Sequence, residues 1–151
     1  MQISARAEYA VRAILALAAA DPATMTAQAL ADAEDLPRKF LEAILADLRR
    51  AGLVRSHRGS EGGYRLGSPA TELTVGAVLR AVDGPLAGVR GARPEQATYT
   101  GTAEHLQTVW VATRAAVRSV LDETSLAEVL SGDLPPHVKE LVATEQAWHS
   151  R

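Results

Sequence analysis

Positively charged side chains are concentrated in one stretch of this 151-residue chain, residues 36–66. That stretch contains seven lysines and arginines and three carboxylates, a formal charge of +4 (7 − 3), whereas the whole chain carries −2. The basic residues are Arg38, Lys39, Arg49, Arg50, Arg55, Arg58 and Arg65. A local basic patch on an acidic protein is typical of a surface that binds nucleic-acid phosphates. The alternative interpretation is that these side chains only solvate a helix face.

The hydrophobic pattern of the same stretch predicts a helix that carries the first of these basic side chains. Apolar residues recur at spacings of three and four, which places them on one helical face. They are Phe40, Leu41, Ile44, Leu45 and Leu48. Pro37 suits the first turn of this helix because its missing N–H is not needed there, and Gly52 suits a left-handed end.

A short β-hairpin is predicted directly after this helix. Residues 53–57 and 63–66 have the pattern of two strands, and the tip between them is rich in glycine. Gly59, Gly62 and Gly63 are expected to supply the positive φ angles of a tight turn. A basic hairpin after a basic helix is the arrangement of a winged helix-turn-helix, in which the hairpin is the wing.

A shorter helix over residues 27–33 completes the predicted helix-turn-helix unit. In such a unit the first residues of the second helix meet the base edges of DNA. Arg38 and Lys39 are therefore the predicted base-reading residues, since Arg or Lys against guanine is the commonest specific contact. The complete predicted DNA interface is Thr26, Gln28, Pro37, Arg38, Lys39, Arg49, His57, Arg58, Ser60, Glu61 and Tyr64.

Three segments are predicted along the chain. Residues 1–84 form the winged helix-turn-helix domain, which begins with a helix over residues 5–20, and residues 85–101 form a loop without hydrophobic period. Residues 102–151 contain a long helix over residues 102–122 and a C-terminal tail. The predicted helix N-caps are Ser4, Thr26, Thr74 and Ser125. The predicted fold class is mainly α with a small β-hairpin, a winged helix-turn-helix followed by a long C-terminal dimerisation helix.

The long helix carries an apolar stripe with near-heptad spacing. Its members are Leu106, Val109, Trp110, Thr113, Val117, Val120 and Leu121. At the rise of an α-helix the segment is about 30 Å long, more than one small winged-helix domain can cover. The predicted partner is the same helix of a second subunit, and the alternative is a helix folded back on its own domain.

Three stretches of this sequence resemble a known family. Residues 45–66 follow the pattern LxxLxxAGLVRSxRGxxGGYRL, residues 1–18 read MQISARAEYAVRAILALA, and residues 73–86 read LTVGAVLRAVDGPL. Together they resemble the bacterial winged-helix transcription regulators that include IscR, NsrR and CymR. The resemblance covers residues 1–90 well and implies a regulator that binds double-stranded DNA and forms a homodimer through its long C-terminal helix.

The same resemblance raises the question of a cofactor. Many members of that family hold an iron–sulfur cluster through three cysteines in the loop before the long helix and a ligand from the first helix. This chain has the loop and Glu8 but no cysteine, and thiolates are the usual ligands of such clusters. Its four histidines lack the spacing of a metal site, so we expect no metal and no cofactor. A small-molecule pocket could instead be lined by Glu8, Arg90, Arg93 and Tyr99, beside Trp110, unless Tyr99 and Trp110 simply pack at the dimer interface.

Composition and motifs exclude several other classes of function. The chain is 47% hydrophobic and 23% charged, as ordinary soluble proteins are, and it has no apolar run long enough to span a bilayer, so a cytoplasmic location is expected. No nucleophile elbow, phosphate loop or acid–base pair of an enzyme is present. The predicted function is a homodimeric repressor on a near-palindromic operator. The alternative is a winged-helix interaction module that regulates through a partner protein, for which Glu42, Asp47 and Glu61 are the sequence support.

Overall fold

The structure, a computed structural model, describes residues 2–149 and is mainly helical. The α-helices in that range are α1 (Ala5–Ala20), α2 (Ala27–Glu34), α3 (Arg38–Arg50), α4 (Val75–Asp83), α5 (Leu106–Leu121), α6 (Leu126–Ser131) and α7 (Pro136–Val142). The two strands, β1 (Val54–His57) and β2 (Gly63–Leu66), form an antiparallel hairpin between α3 and α4. The predicted fold class, mainly α with a small β-hairpin, is confirmed.

Local hydrogen bonds fix the starts of four helices in this range. The N-cap hydroxyls each accept a hydrogen bond from the backbone N–H three residues later, which satisfies a donor that the helix itself leaves free. These caps are Ser4, Thr26, Thr74 and Ser125. All four were expected from residue type and position. The end of α3 also agrees with the sequence, since Gly52 follows it with a φ of 76°.

The hydrophobic core lies where α1, α2, α3 and α4 meet the base of the hairpin. Its largest fully buried side chains include Ile14, Leu17, Leu30, Leu41, Ile44, Leu45, Leu48, Val54, Val78 and Leu126. Burial of one such side chain stabilises the fold by roughly 1.5–3 kcal/mol. The helix-turn-helix and the wing therefore share one continuous core and are held in a fixed relation to each other.

Phe40 departs from the predicted apolar face of α3. The other four members of that face are buried, whereas Phe40 is 39% exposed. It belongs to the first turn of α3, where the helix has only begun to enter the core. Its ring instead meets the ring of Tyr9 edge-on, with centroids 5.8 Å apart and planes at 90°, a favourable aromatic arrangement.

The hairpin is tied to the segment before α2 by an additional short strand pairing. Met25 and Tyr64 exchange two backbone hydrogen bonds of 2.9 and 2.7 Å. A Cβ on Gly63 would lie 2.6 Å from the Met25 carbonyl oxygen, so only glycine allows this approach. Gly59 and Gly63 have positive φ as predicted, but Gly62 does not. Gly62 is needed because a Cβ there would lie 2.7 Å from the His57 carbonyl oxygen.

The long helix is shorter than the predicted span of residues 102–122. A single 3₁₀ turn, Gly101–Ala103, precedes it, and α5 begins only at Leu106. The C-terminal end of α5 packs closely on α4 at Gly76, where a Cβ would lie 3.1 Å from the Leu121 carbonyl carbon and would displace the Asp122 carboxylate. The loop before α5 is also more ordered than predicted, because it contains a 3₁₀ turn, Pro94–Gln96, with Pro94 buried.

After α5 the chain returns to the winged-helix core. The backbone N–H of Leu126 donates to the Leu73 carbonyl oxygen at 2.8 Å, and the side chain of Leu126 is fully buried. A capping box between Ser125 and Glu128 fixes the start of α6 there. The segment assigned from the sequence to the dimerisation part thus contributes one side chain to the core of the N-terminal domain.

Candidate nucleic-acid interface

The turn between α2 and α3 places the start of α3 at the surface. Asp35 takes a left-handed conformation with a φ of 51°, and the backbone N–H of Leu36 donates to the Ala31 carbonyl oxygen at 2.9 Å. Leu36 is buried and anchors the turn, so the residues immediately after it are carried outward. Arg38 and Lys39, the predicted base-reading residues, are both exposed there.

The guanidinium of Arg38 is held between the two helices of the unit. Its Nε donates to Glu42 Oε1 at 3.0 Å, and one terminal nitrogen donates to Gln28 Oε1 at 3.0 Å. Gln28 in turn donates to Asp32 Oδ1 at 2.8 Å. A guanidinium has five N–H donors, so three remain to meet a base edge. Gln28, predicted as a phosphate contact, thus orients Arg38.

The wing presents a basic and fully exposed tip. His57, Arg58, Ser60 and Glu61 are all exposed, as a groove-contacting tip requires. The tip is held in place because the Thr24 hydroxyl donates to the Glu61 carbonyl oxygen at 2.9 Å.

Two further arginines in the wing complete the basic surface and lie outside the predicted set. Arg55 and Arg65 are directly opposite each other in the hairpin register. Like charges directly opposite on adjacent strands destabilise a hairpin, and a phosphate bound nearby would offset that repulsion. Alternation along β1 and β2 was the sequence signal that could have placed both on one face.

The remaining predicted contacts fall around these two elements. Thr26 is exposed at the start of α2, where its side chain serves as the N-cap, and Pro37 is exposed at the N-cap of α3. Arg49 donates to the Ser56 hydroxyl at 3.4 Å, which joins the end of α3 to β1. Tyr64 is half-buried at the base of the wing, where its backbone pairs with Met25.

Most of the basic side chains in this surface have no carboxylate partner. Arg38 pairs with Glu42, and Arg50 pairs with Asp47 at 2.7 Å. Asp47 also accepts a hydrogen bond from Arg6 of α1. The pKa of Asp47 lies below its ordinary value, mainly because of this hydrogen bond from Arg6 and secondly because of the one from Arg50. In this surface, with partners sought throughout residues 2–149, the lysine and arginine side chains that form no ion pair are Lys39, Arg49, Arg55, Arg58 and Arg65. Their uncompensated charge is what a phosphate-binding surface needs.

The helix α5 lies beside an open apolar groove. None of its residues is buried. The groove has a volume of about 820 Å³. Its apolar wall includes Ile3, Leu79, Leu86, Val117, Val120 and Leu121. We call it the apolar groove. The alternative of a helix folded back on its own domain accounts for its contacts with α4 and the loop, but not for this empty space.

The predicted dimerisation stripe follows this groove only in part. Thr113, Val117, Val120 and Leu121 line the apolar groove. Val109 is 53% exposed and Leu106 is half-buried. Trp110 lines a smaller groove beside Ala87 and Val89, and its indole N–H donates to the Tyr99 hydroxyl at 3.1 Å.

The four residues of the predicted ligand pocket are dispersed over the structure. Glu8 lies on α1 and pairs with Arg12 at 3.6 Å. Tyr99 accepts the hydrogen bond from Trp110. Arg90 is exposed in the loop with a φ of 52°. Arg93 lines a second groove, on another flank of α5, which Glu8, Arg90 and Tyr99 do not reach.

Within residues 2–149 no group of three or more His, Cys, Asp or Glu side chains is arranged to hold a metal ion. In the same part of the chain, no helix combines the length and apolar character needed to cross a membrane.

Comparison with known proteins decides the family. Residues 3–132 match the model of the family Rrf2, described as "Iron-dependent Transcriptional regulator". The chain belongs to the Rrf2 family. It is a helix-turn-helix transcription regulator that binds DNA, which confirms the class of function, the resemblance and the non-enzymatic nature expected from the sequence.

Individual relatives of this Rrf2 chain carry the same kind of name. The Mycobacterium tuberculosis protein Rv1287, named as an HTH-type transcriptional regulator, is 49% identical over 151 residues, which is 99% of this chain and 94% of the relative. CymR of Bacillus subtilis, an HTH-type transcriptional regulator, is 33% identical over 132 residues, covering 87% and 91% of the two chains.

Solved structures support the same fold for this Rrf2 chain. The structure of CymR (YrzC), the global cysteine regulator of B. subtilis, has a TM-score of 0.73 at 31% identity and covers 87% of this chain and 97% of its own. The structure of T. potens IscR has a TM-score of 0.70 at 26% identity, with coverage of 100% and 93%.

The iron in the Rrf2 family description has no matching donor set in this member. Clusters of iron and sulfur are held by thiolates as a rule, and the chain contains no cysteine. The absence of a His, Asp and Glu cluster within residues 2–149 leaves no substitute set of ligands there. The residues present therefore do not fit the metal centre that the description implies.

Proposed function

We propose that this Rrf2 regulator is a homodimeric repressor that binds a near-palindromic operator without an iron–sulfur cluster. The observation that carries the proposal is the exposed basic surface formed by α3 and the wing. It holds five cations that form no ion pair within residues 2–149. A repressor acts by occupying its operator, and this surface supplies both base-reading and phosphate-binding groups.

The base-reading role falls to Arg38 and Lys39. Arg38 is pre-oriented by Gln28 and Glu42, each at 3.0 Å, so little conformational entropy is lost when it meets a base. Lys39 is exposed beside it and forms no ion pair among the described residues. Together they would read one or two base pairs in each half-site.

The wing would hold the register of α3 on the duplex. Phosphate contacts position a protein on DNA without reading its sequence. We expect Arg55, Arg58 and Arg65 to make such contacts, and the pairing of Met25 with Tyr64 supports this because it ties the wing to the segment before α2.

The dimer proposal rests on the apolar groove. Exposure to water of a groove of about 820 Å³ lined by valine and leucine side chains is unfavourable, and such apolar patches usually mark an interaction surface. The α5 helix of a second copy has the matching apolar stripe, and a two-fold arrangement would bury both stripes at once. Two copies of α3 would then enter successive major grooves about 34 Å apart.

Selection of binding sites from a random duplex library tests this proposal. Full-length protein is expected to enrich an inverted repeat, and sedimentation equilibrium is expected to give twice the chain mass. Enrichment of a single half-site by a monomer would contradict the dimer, and no enrichment would contradict specific binding. Transcription in vitro from a promoter that carries the recovered operator shows whether the protein represses or activates. A rise in transcript would exclude a repressor.

The interaction-module alternative retains less support from the charged residues. Glu42 and Asp47, two of the three carboxylates on which it depends, are engaged by Arg38, Arg6 and Arg50 within the chain. Only Glu61 remains outside an ion pair in the described residues. Capture of a partner from nuclease-treated lysate, abolished by charge reversal at Glu61, would favour this alternative.

A further inference from the structure

A second groove lies on the flank of α5 that faces the loop before it. Four arginines line it, one from α4, one from the loop and two from α5. They are Arg80, Arg93, Arg114 and Arg118. Its volume is about 460 Å³, within the range of small-molecule sites. We call it the arginine groove.

The charge in the arginine groove is only partly compensated. Arg80 pairs with Asp122 at 2.6 Å, and Arg114 pairs with Glu95. Within residues 2–149, Arg93 and Arg118 form no ion pair. Counting the four arginines against the two carboxylates leaves a charge of +2 (4 − 2) at this site.

The walls of the groove are fixed by contacts within the chain. Pro94 is buried and holds the loop against α5. Gln107 of α5 donates to the Glu95 carbonyl oxygen at 3.0 Å, and the Arg114 side chain is only 12% exposed. The pKa of Glu95 lies below its ordinary value because its carboxylate accepts a hydrogen bond from its own backbone N–H and, second, from the Arg114 guanidinium. The ion pair between Glu95 and Arg114 therefore persists near neutrality.

The two unpaired arginines line the same groove from different elements. Arg118 lies on the face of α5 that also carries Arg114, four residues earlier, and Arg93 belongs to the loop. Guanidinium groups brought together without a counter-ion repel each other. A planar guanidinium binds carboxylate or phosphate through two parallel hydrogen bonds, which offsets this repulsion.

We propose that the arginine groove binds a small organic oxyanion, a molecule that carries a phosphate or carboxylate group. Arg93 and Arg118 contact the oxyanion directly. Arg114 and Arg80 are already paired and shape the walls. The site uses none of the residues assigned to the DNA interface.

The position of the groove links it to dimerisation. The segment Gly84, Pro85 and Leu86 lines both the arginine groove and the apolar groove. An oxyanion that draws Arg93 toward Arg118 therefore acts on the wall against which the partner helix would pack. This coupling rests on the proposed dimeric repressor, whereas the binding site itself does not.

Isothermal titration calorimetry of the full chain, without DNA and at 150 mM salt, tests the site. Pyrophosphate and succinate are the probes, the first for phosphate and the second for carboxylate ligands. We expect saturable binding of one of them at one site per chain. Arg118→Gln and Arg93→Gln should each weaken that binding by about tenfold or more.

Arg90→Gln is the matched control, because Arg90 is an exposed arginine of the same loop that does not line the groove. It should bind the probe as the unaltered chain does. Failure of both probes to saturate would overturn the proposal, and so would an equal loss in Arg90→Gln. If the chain proves to have no specific DNA affinity but still binds the probe, the site is upheld and only its coupling to a dimeric repressor is rejected.

Discussion

Two helices of equal length, α1 and α5, differ in how far they are buried in this protein. Both α1 and α5 have 16 residues and an apolar stripe. The first buries Ala7, Ala10, Ala13, Ile14 and Leu17 against neighbours in its own chain, and the second buries none. An apolar stripe therefore indicates that a helix needs a partner, but not whether the chain itself supplies one.

Side-chain size explains much of the difference. Three alanines on the buried stripe of α1 let α2, α3 and α4 approach closely on that side. The stripe of α5 is built from valines and leucines, and its flank carries Arg114 and Arg118, which need a polar or ionic environment. We therefore expect substitutions in α1 to lower the stability of the single chain and substitutions in α5 to weaken the association of two chains.

Truncation in α1 should have the largest effect. Ile14→Ala removes a fully buried side chain, and we expect a loss of about 2–5 kcal/mol in the free energy of unfolding. Urea denaturation followed by circular dichroism measures it, with the exposed Ala19→Ser as control. A loss below 1 kcal/mol would contradict the assignment of α1 to the stability of the single chain.

A charge in α5 should act on association instead. Val117→Glu places a carboxylate in the apolar groove, and we expect dimer association to weaken by about a hundredfold or more. Sedimentation equilibrium gives the constant, and helical content should be retained. Ala115→Glu, on the exposed side of α5, should leave association unchanged, and an equal loss there would contradict the proposed interface.

Base reading is assigned to α3 and should respond to substitution separately from stability and association. Arg38→Ala is expected to weaken specific binding by about 1–3 kcal/mol and to relax the preference at one base position. Fluorescence anisotropy on operator variants measures this, with Arg50→Ala as a control because Arg50 lies in the last turn of α3, away from the predicted base-reading residues. Uniform weakening on every sequence would remove Arg38 from base recognition.

The wing should contribute affinity that depends on salt concentration but not on DNA sequence. Arg58→Ala removes one proposed phosphate contact, so the slope of log affinity against log salt should fall by about 1. The measurement is the same titration repeated from low to physiological salt. An unchanged slope would exclude Arg58 from the phosphate contacts.

The smallest effect concerns an ion pair that joins α1 to α3. The pKa of Asp47 in the folded protein lies below 3.8 because of Arg6 and then Arg50, so its stabilisation is present above that pH and is lost as pH falls through the folded pKa. We expect Asp47→Asn to cost about 1 kcal/mol at pH 6. The difference in Tm from the unaltered chain should shrink below pH 3.8, and a constant difference would reject the ionic cause.

Local signals in the sequence predicted much of this fold. The four hydroxyl caps, the glycine after α3 and the two strands each depend on residues close together in the chain. Gly62 and Phe40 were misassigned because their roles depend on three-dimensional contacts, with the His57 carbonyl oxygen across the hairpin tip and with the ring of Tyr9 on α1.

The candidate sites divide in the same way. The exposed arginines of α3 and the wing follow from one short stretch, so their position could be predicted. The arginine groove joins α4, the loop and α5, and only Arg93 among its arginines was singled out from the sequence. Charge compensation, such as Arg80 with Asp122, needs the coordinates because the partners lie 42 residues apart.

The burial of Leu126 has a consequence for biosynthesis. The core of the DNA-binding domain is completed by a side chain that follows α5, so a nascent chain cannot close that core until residue 126 has left the ribosome. Contacts between such distant residues also slow folding relative to local helix formation. The side of the core that α6 covers therefore stays exposed while α5 is synthesised, whereas α2, α3 and α4, the main partners of α1, precede α5 in the chain.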